Sequence, residues 1–267
     1  MSSSQIPIIL LHGFAEDSNI WERQTAFLRR HHHVIVPDLP GCGKSAPPQG
    51  SISVEDMADY IKSLLDSESI GQCIMIGHSL GGYITLAFAE KYPDQLLAFG
   101  LFHSTAFADT EEKKAGRRKK IAFIQKNGAA PFIRQSIPDL FSESSKTTFK
   151  QAINDLIEQY SNFAPETLAR YQEAMIHRPD RTHILKNFNG PILFIIGTQD
   201  NAVPYEQSLQ QAYMPDLSYI RILENVGHMG MIEDSDRCNQ ALDEFITFAG
   251  NRQPGDDKPV ADLQQTR

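Results

Sequence analysis

Along the chain, short apolar runs alternate with stretches of helical periodicity as far as residue 104; the alternation then stops and resumes near residue 190. Residues 6–11 read as a first strand, 20–28 as a helix and 34–36 as a second strand. A helix is expected over about 54–65, with Ser53 as its N-cap and Asp56 three residues on. Residues 72–76 form a third apolar run, 82–92 a helix stopped by Pro93, and 97–103 a fourth strand. The fifth and sixth runs are 191–197 and 219–223. Six strands interleaved with helices call for a parallel sheet covered on both faces and joined by right-handed crossovers. Between residues 106 and 185 strand signals vanish. Helical stretches take their place at about 110–127, 129–134, 144–160 and 165–177, punctuated by Pro131, Pro138 and Pro165. The expected organisation is therefore an α/β core formed by 1–105 and 186–250, and an all-helical insertion over 106–185. A polar tail, 251–267, carries Pro254, Gly255 and Pro259 and is expected to be disordered.

Gly77-His78-Ser79-Leu80-Gly81 joins the third strand to its helix. A strand that reverses into a helix so quickly strains the central residue and exposes its side chain, and flanking glycines remove the atoms that would collide. The start of the helix directs free N–H groups at the same place. Ser79 is therefore the candidate nucleophile. A serine hydroxyl needs a base and a group to orient that base. Asp200 lies in the loop 198–204 that leaves the fifth strand, and His228 in the loop 224–229 that follows the sixth. All three sit just beyond strand ends, the edge where open α/β sheets build their sites. Asp216, Glu224, Asp234 and Asp236 are the rival acids, each on a helix end or surface turn. Among rival histidines, His12 belongs to a His-Gly turn and His78 holds the variable position beside the serine.

Composition narrows the class. Apolar residues make up 41% and charged residues 22% of the 267, as in an ordinary globular protein. A formal net charge of −8 argues against nucleic acid as a partner. The apolar runs are too short to span a membrane, and residues 1–5 lack the features of a secretory signal. Three cysteines are too few and odd in number for a disulfide framework. A cytoplasmic location is expected.

The serine turn, the Gly197-Thr198-Gln199-Asp200 loop with Pro204, the Gly227-His228 loop, Leu11-His12-Gly13-Phe14 and Asp38-Leu39-Pro40-Gly41-Cys42-Gly43-Lys44-Ser45 together resemble the α/β-hydrolase fold superfamily. The likeness covers about residues 6 to 250 and is to the serine-nucleophile, esterase-like branch with a helical cap. It implies a strand order of 2-1-3-4-5-6, no extra N-terminal hairpin, and a cap closing over Ser79. It also implies Ser79 as nucleophile, His228 as general base and Asp200 as its partner, with the backbone N–H groups of Phe14 and Leu80 as oxyanion hole. Phe107, Phe123, Phe132 and Met229 are candidate pocket walls, with Phe141, Phe163 and Met175 as further apolar candidates in the insertion. The implied activity is hydrolysis of a small or medium-sized carboxylic ester through an acyl-enzyme, with no metal or organic cofactor. Lactone or carbon–carbon bond hydrolysis and a noncatalytic small-molecule receptor are the alternatives. The oligomeric state is left open.

Three other patterns carry less. Gly41-Cys42-Gly43-Lys44-Ser45 lacks the first glycine of a phosphate loop, since position 38 is Asp38. His31-His32-His33 cannot all face one ion from an extended strand. Lys113-Lys114 and Arg117-Arg118-Lys119-Lys120, after Glu111-Glu112, read as the solvated face of a helix, with a basic docking site as the alternative.

Overall fold

A computed structural model describes residues 6–252. Six parallel strands form one sheet in the order β2-β1-β3-β4-β5-β6, with β1 at Ile8–Leu11, β2 at Val34–Ile35 and β3 at Cys73–His78. β4 spans Leu96–Phe102, β5 Ile192–Gly197 and β6 Ser218–Leu223. The apolar runs are continuous because the central strands are covered on both faces. Side-chain alternation divides them between two cores: Ile8 and Leu10 pack on one side of β1, Ile9 and Leu11 on the other. All four are fully buried, and each contributes about 1.5–3 kcal/mol by leaving water.

Helix α1 (Glu22–Leu28) follows β1, and α2 (Val54–Ser67) follows β2. α2 starts on the expected capping box: Ser53 Oγ accepts from the Asp56 N–H at 3.0 Å and the Asp56 carboxylate accepts from the Ser53 N–H at 2.8 Å. It buries Val54, Met57, Ala58, Ile61 and Leu65, a stripe of helical spacing. α3 (Leu80–Lys91) follows β3 and is apolar nearly all round, because the sheet and its neighbours enclose it.

Every regular element between β4 and β5 is helical: α4 (Glu111–Asn127), α5 (Ala129–Ser136), α6 (Glu143–Thr148), α7 (Lys150–Tyr160), α8 (Pro165–His177) and α9 (Thr182–Asn187). The single helix expected over 144–160 is two, broken at Phe149, whose φ of −100° and ψ of 20° leave the helical region. α10 (Tyr205–Ala212) joins β5 to β6, and α11 (Gly230–Glu233) and α12 (Ser235–Asn251) close the described chain. The tail expected to be disordered lies, from residue 253 on, outside the described residues. Among the described residues no helix is long and apolar enough to cross a membrane.

Gly116 lies inside α4, and a Cβ there would meet nothing within 4 Å. A mid-helix glycine costs about 0.5–1 kcal/mol relative to alanine. Gly116→Ala is therefore expected to raise the thermal midpoint by about 1–4 °C in a domain of this size. A lower midpoint in a thermal melt would contradict this account of the helix.

Candidate active site

Parallel strands end on one edge, so the residues that follow them converge. Ser79 follows β3, His103 follows β4, Asp200 follows β5 and His228 follows β6. Ser79 has φ 50° and ψ −113°, a conformation that non-glycine residues rarely adopt. A Cβ on Gly77 would lie 2.2 Å from the Gly81 backbone, and one on Gly81 would lie 2.5 Å from the Leu11 carbonyl oxygen. Only glycine fits at either position, and the turn closes tightly around the serine. The Ser79 N–H donates to the Phe102 carbonyl at 3.0 Å, and its own carbonyl accepts from Ser104 Oγ at 2.7 Å. Its side chain makes no capping bond to α3, which leaves the hydroxyl to the cavity it lines.

His228 donates its backbone N–H to the Leu140 carbonyl at 2.7 Å. The Glu233 carboxylate accepts from both Gly227 and Met229, at 3.0 and 3.1 Å, and so grips the loop on either side of the imidazole. The ring engages Asp200 Oδ2 through Nδ1 at 2.8 Å, so Nε2 is the nitrogen left for the cavity that Ser79 shares. Asp200 Oδ1 accepts from the Ala202 and Val203 N–H groups at 2.8 and 2.9 Å, which fixes the carboxylate plane. Burial would raise the Asp200 pKa, but the facing His228 outweighs it and holds the carboxyl well below the usual range. Burial alone would lower the His228 pKa. Asp200, through charge and hydrogen bond, reverses this and leaves the imidazole above its ordinary value.

A second buried set supports the first. Glu16 Oε2 accepts from the Gly13 N–H at 2.7 Å and lies 3.0 Å from His78 Nδ1, while His78 Nε2 donates to the His228 carbonyl at 3.1 Å. His78 thereby ties the loop carrying Phe14 to the loop carrying His228. Burial pushes the Glu16 pKa up, but His78 and the Gly13 N–H prevail and keep it below the usual value. His12 Nε2 accepts from the Leu39 N–H at 3.0 Å, so its proton sits on Nδ1, 2.9 Å from the Gly13 carbonyl oxygen. His103 Nδ1 lies 3.3 Å from Asp200 Oδ2 but outside hydrogen-bond geometry, and burial lowers its pKa. The Asp200 carboxylate thus lies between two imidazoles. Sequence reading missed Glu16, His103 and Glu233 and gave His78 no role. His103 carried a usable signal, its place at the end of the fourth apolar run; the glutamates carried none, since their partners are set by loop geometry.

The cavity has a volume of about 830 Å³. Of the candidate pocket walls, Phe123, Phe132 and Met229 line it, as do Phe14 and Met175. Phe107 does not, and its carbonyl accepts from Arg178 Nη2 at 3.1 Å. Phe141 and Phe163 also lie outside the lining, packed in the apolar core. Leu80 is fully buried, and the oxyanion role expected of it involves its backbone alone. Among the described residues neither the Phe14 nor the Leu80 N–H is taken by a protein acceptor. The basic run is not a single solvated face, because Lys113, Arg117, Lys119 and Lys120 line the cavity.

A doubly covered parallel sheet in this strand order, with a strained serine turn at its carboxyl edge, defines the α/β-hydrolase fold. The chain belongs to that family, whose α/β-hydrolase fold pattern matches residues 6–235. A thermophilic esterase from Thermogutta terrifontis, solved with malate bound, is 30% identical, with a TM-score of 0.87 over 92% of this chain and 90% of that one. The 2-hydroxy-6-oxononadienedioate/2-hydroxy-6-oxononatrienedioate hydrolase of Pseudomonas sp is 24% identical over 90% of this chain and 87% of its own length. The dihydrolipoyllysine-residue acetyltransferase component of the acetoin cleaving system of Pseudomonas putida is 25% identical over 243 residues; the match spans 90% of this chain but 63% of that protein.

Proposed function

We propose that the protein is a serine hydrolase that cleaves a small or medium-sized carboxylic ester through an acyl-enzyme on Ser79. The observation that carries this reading is the 2.8 Å bond from His228 Nδ1 to a buried Asp200, at a cavity that both His228 and Ser79 line. Ser79 Oγ attacks the ester carbonyl while His228 Nε2 takes its proton. The N–H groups of Phe14 and Leu80 receive the negative charge that develops on the carbonyl oxygen. The protonated His228 then gives its proton to the departing alcohol, leaving an acyl group on Ser79. Water, deprotonated by His228, attacks that acyl carbon, and the imidazolium returns the proton to Ser79 Oγ as the acid departs. Asp200 holds the proton on Nδ1 and stabilises the imidazolium formed in each half. Residues 106–185 act as a cap over this site, excluding water and supplying the apolar wall at Phe123 and Phe132. The similarity to an esterase at 30% identity supports the ester assignment. The likeness to the Pseudomonas oxononadienedioate hydrolase keeps carbon–carbon bond hydrolysis as the second reading, since it needs the same groups.

p-Nitrophenyl esters of graded acyl length are expected to release p-nitrophenol, and a fluorophosphonate probe is expected to label Ser79 in the wild type but not in His228→Ala. A folded protein that turns over no ester at any length and takes no label would overturn the proposal.

A further inference from the structure

The first ten residues of α4 hold six cations, in a chain whose net charge is −8. Lys113, Arg117 and Lys120 stand at i, i+4 and i+7 and so share one face with Gly116 and Phe123, and all five line the cavity. Lys114 and Arg118 are not part of the lining; the Lys114 ammonium instead reaches Glu111 at 2.9 Å. The cavity therefore has an apolar wall at Phe123 and Phe132 and a cationic wall that begins about one helical turn away along α4 and extends to about three.

The charge on that wall is only partly balanced by the protein. Among the described residues Glu16 and Asp139 are the only carboxylates in the cavity lining; Glu16 is committed to His78 and the Gly13 N–H, and Asp139 attracts Lys120 without forming an ion pair with it. Arg117 Nε bonds Asp109 at 2.5 Å, but Arg178 Nη2 bonds the same carboxylate at 2.9 Å, so two guanidinium charges share one negative charge. Gln172 Oε1 accepts from Arg117 Nη1 at 3.1 Å and fixes that guanidinium in place. Lys113 Nζ rests on the Ala202 carbonyl at 3.3 Å, beside the loop that holds Asp200. Among the described residues no carboxylate pairs with Lys113, Lys119 or Lys120. Burial, with Arg117 adding like charge, lowers the Lys120 pKa, although much of its side chain still reaches water at the cavity mouth. Four cations held beside an apolar cavity with fewer carboxylates than charges favour a further counter-charge.

We infer that the α4 wall is an anion subsite for the substrate, and that the ester cleaved at Ser79 carries a carboxylate on an otherwise apolar chain. This rests on the hydrolase reading above and names its substrate class. The test compares the monoethyl ester of adipic acid with ethyl adipamate, in which a neutral amide replaces the carboxylate, in a pH-stat at low salt. The acid is expected to be hydrolysed with a kcat/KM about tenfold or more above that of the amide, the worth of one charge-assisted hydrogen bond. That ratio is expected to fall toward one in Lys113→Gln/Lys120→Gln, and to be unchanged in Lys114→Gln/Arg118→Gln. Calorimetric titration with adipate is expected to show binding that the first pair of substitutions weakens. Turnover of both esters at equal rates would overturn the subsite while leaving the hydrolase reading intact. Turnover of neither, with no fluorophosphonate label, would overturn the hydrolase reading, and the adipate titration would then decide the subsite alone. Binding of inorganic phosphate with no binding of adipate would overturn the carboxylate assignment.

Discussion

Ser79→Ala is expected to lower kcat/KM for a short p-nitrophenyl ester by about 10⁶-fold, the scale seen when the nucleophile of a serine triad is removed. His228→Ala is expected to cost about as much, and the double variant little more, because nucleophile and base act as one unit. Residual turnover should stay about 10³–10⁴ above the uncatalysed rate, from oxyanion donors and binding that both variants retain. The fold should not explain the loss. The Ser79 side chain caps nothing, and its backbone bonds to Phe102 and Ser104 do not involve the hydroxyl. Ser79→Gly supplies the internal control. At φ 50° and ψ −113° a side chain costs about 1–3 kcal/mol, whereas glycine costs only about 0.4–1 kcal/mol in chain entropy. Relief of strain wins, so Ser79→Gly should be as inactive as Ser79→Ala and yet melt higher. Equal midpoints would mean that no strain is stored at the turn. Undiminished hydrolysis in Ser79→Ala would remove Ser79 from the chemistry altogether.

The sheet was legible because its central strands are apolar runs, a pattern produced by burial on both faces, and the observed strands differ from the expected ones by one or two residues at their ends; β6, with Ser218 and Arg221, is the more exposed edge. α9 was missed: it has six residues and buries one, Leu185, too little to leave a periodic stripe. The break at Phe149 was missed because no proline or glycine marks it between residues 143 and 160. Ser79, Asp200 and His228 were findable for a local reason, since each lies within five residues of a strand end and parallel strands bring such positions together. Phe107 lies outside the cavity lining, and its carbonyl bonds Arg178, 71 residues away, a contact that no local pattern announces. The basic run shows a different limit. Its i, i+4, i+7 spacing was visible in the sequence, but a stripe of cations reads as solvated unless the cavity beneath it is known.

Asp200→Asn is expected to reduce kcat by about 10⁴-fold while leaving the loop folded, and the hydrogen bonds say why. Oδ1 of Asp200 accepts from both Ala202 and Val203 N–H groups, so the one oxygen of an asparagine would stay there and keep the turn. Its NH₂ group would then occupy the position of Oδ2 and donate to His228 Nδ1. That forces the imidazole proton onto Nε2, where a proton must be absent if the ring is to accept one from Ser79. The pH profile separates this account from a general loss of structure. Only neutral His228 acts as base, so wild-type kcat/KM should rise with pH through an imidazole pKa above the ordinary 6.5, because Asp200 outweighs burial. Removing the Asp200 charge leaves burial less opposed, with Glu16 and Glu233 as the remaining carboxylates that raise the pKa. The acidic limb of the Asn variant should therefore move to lower pH, even as its plateau falls. Measuring kcat/KM from pH 5 to 9 for both proteins decides the matter: a limb that stays in place, or moves upward, would mean that Asp200 does not set the protonation of His228.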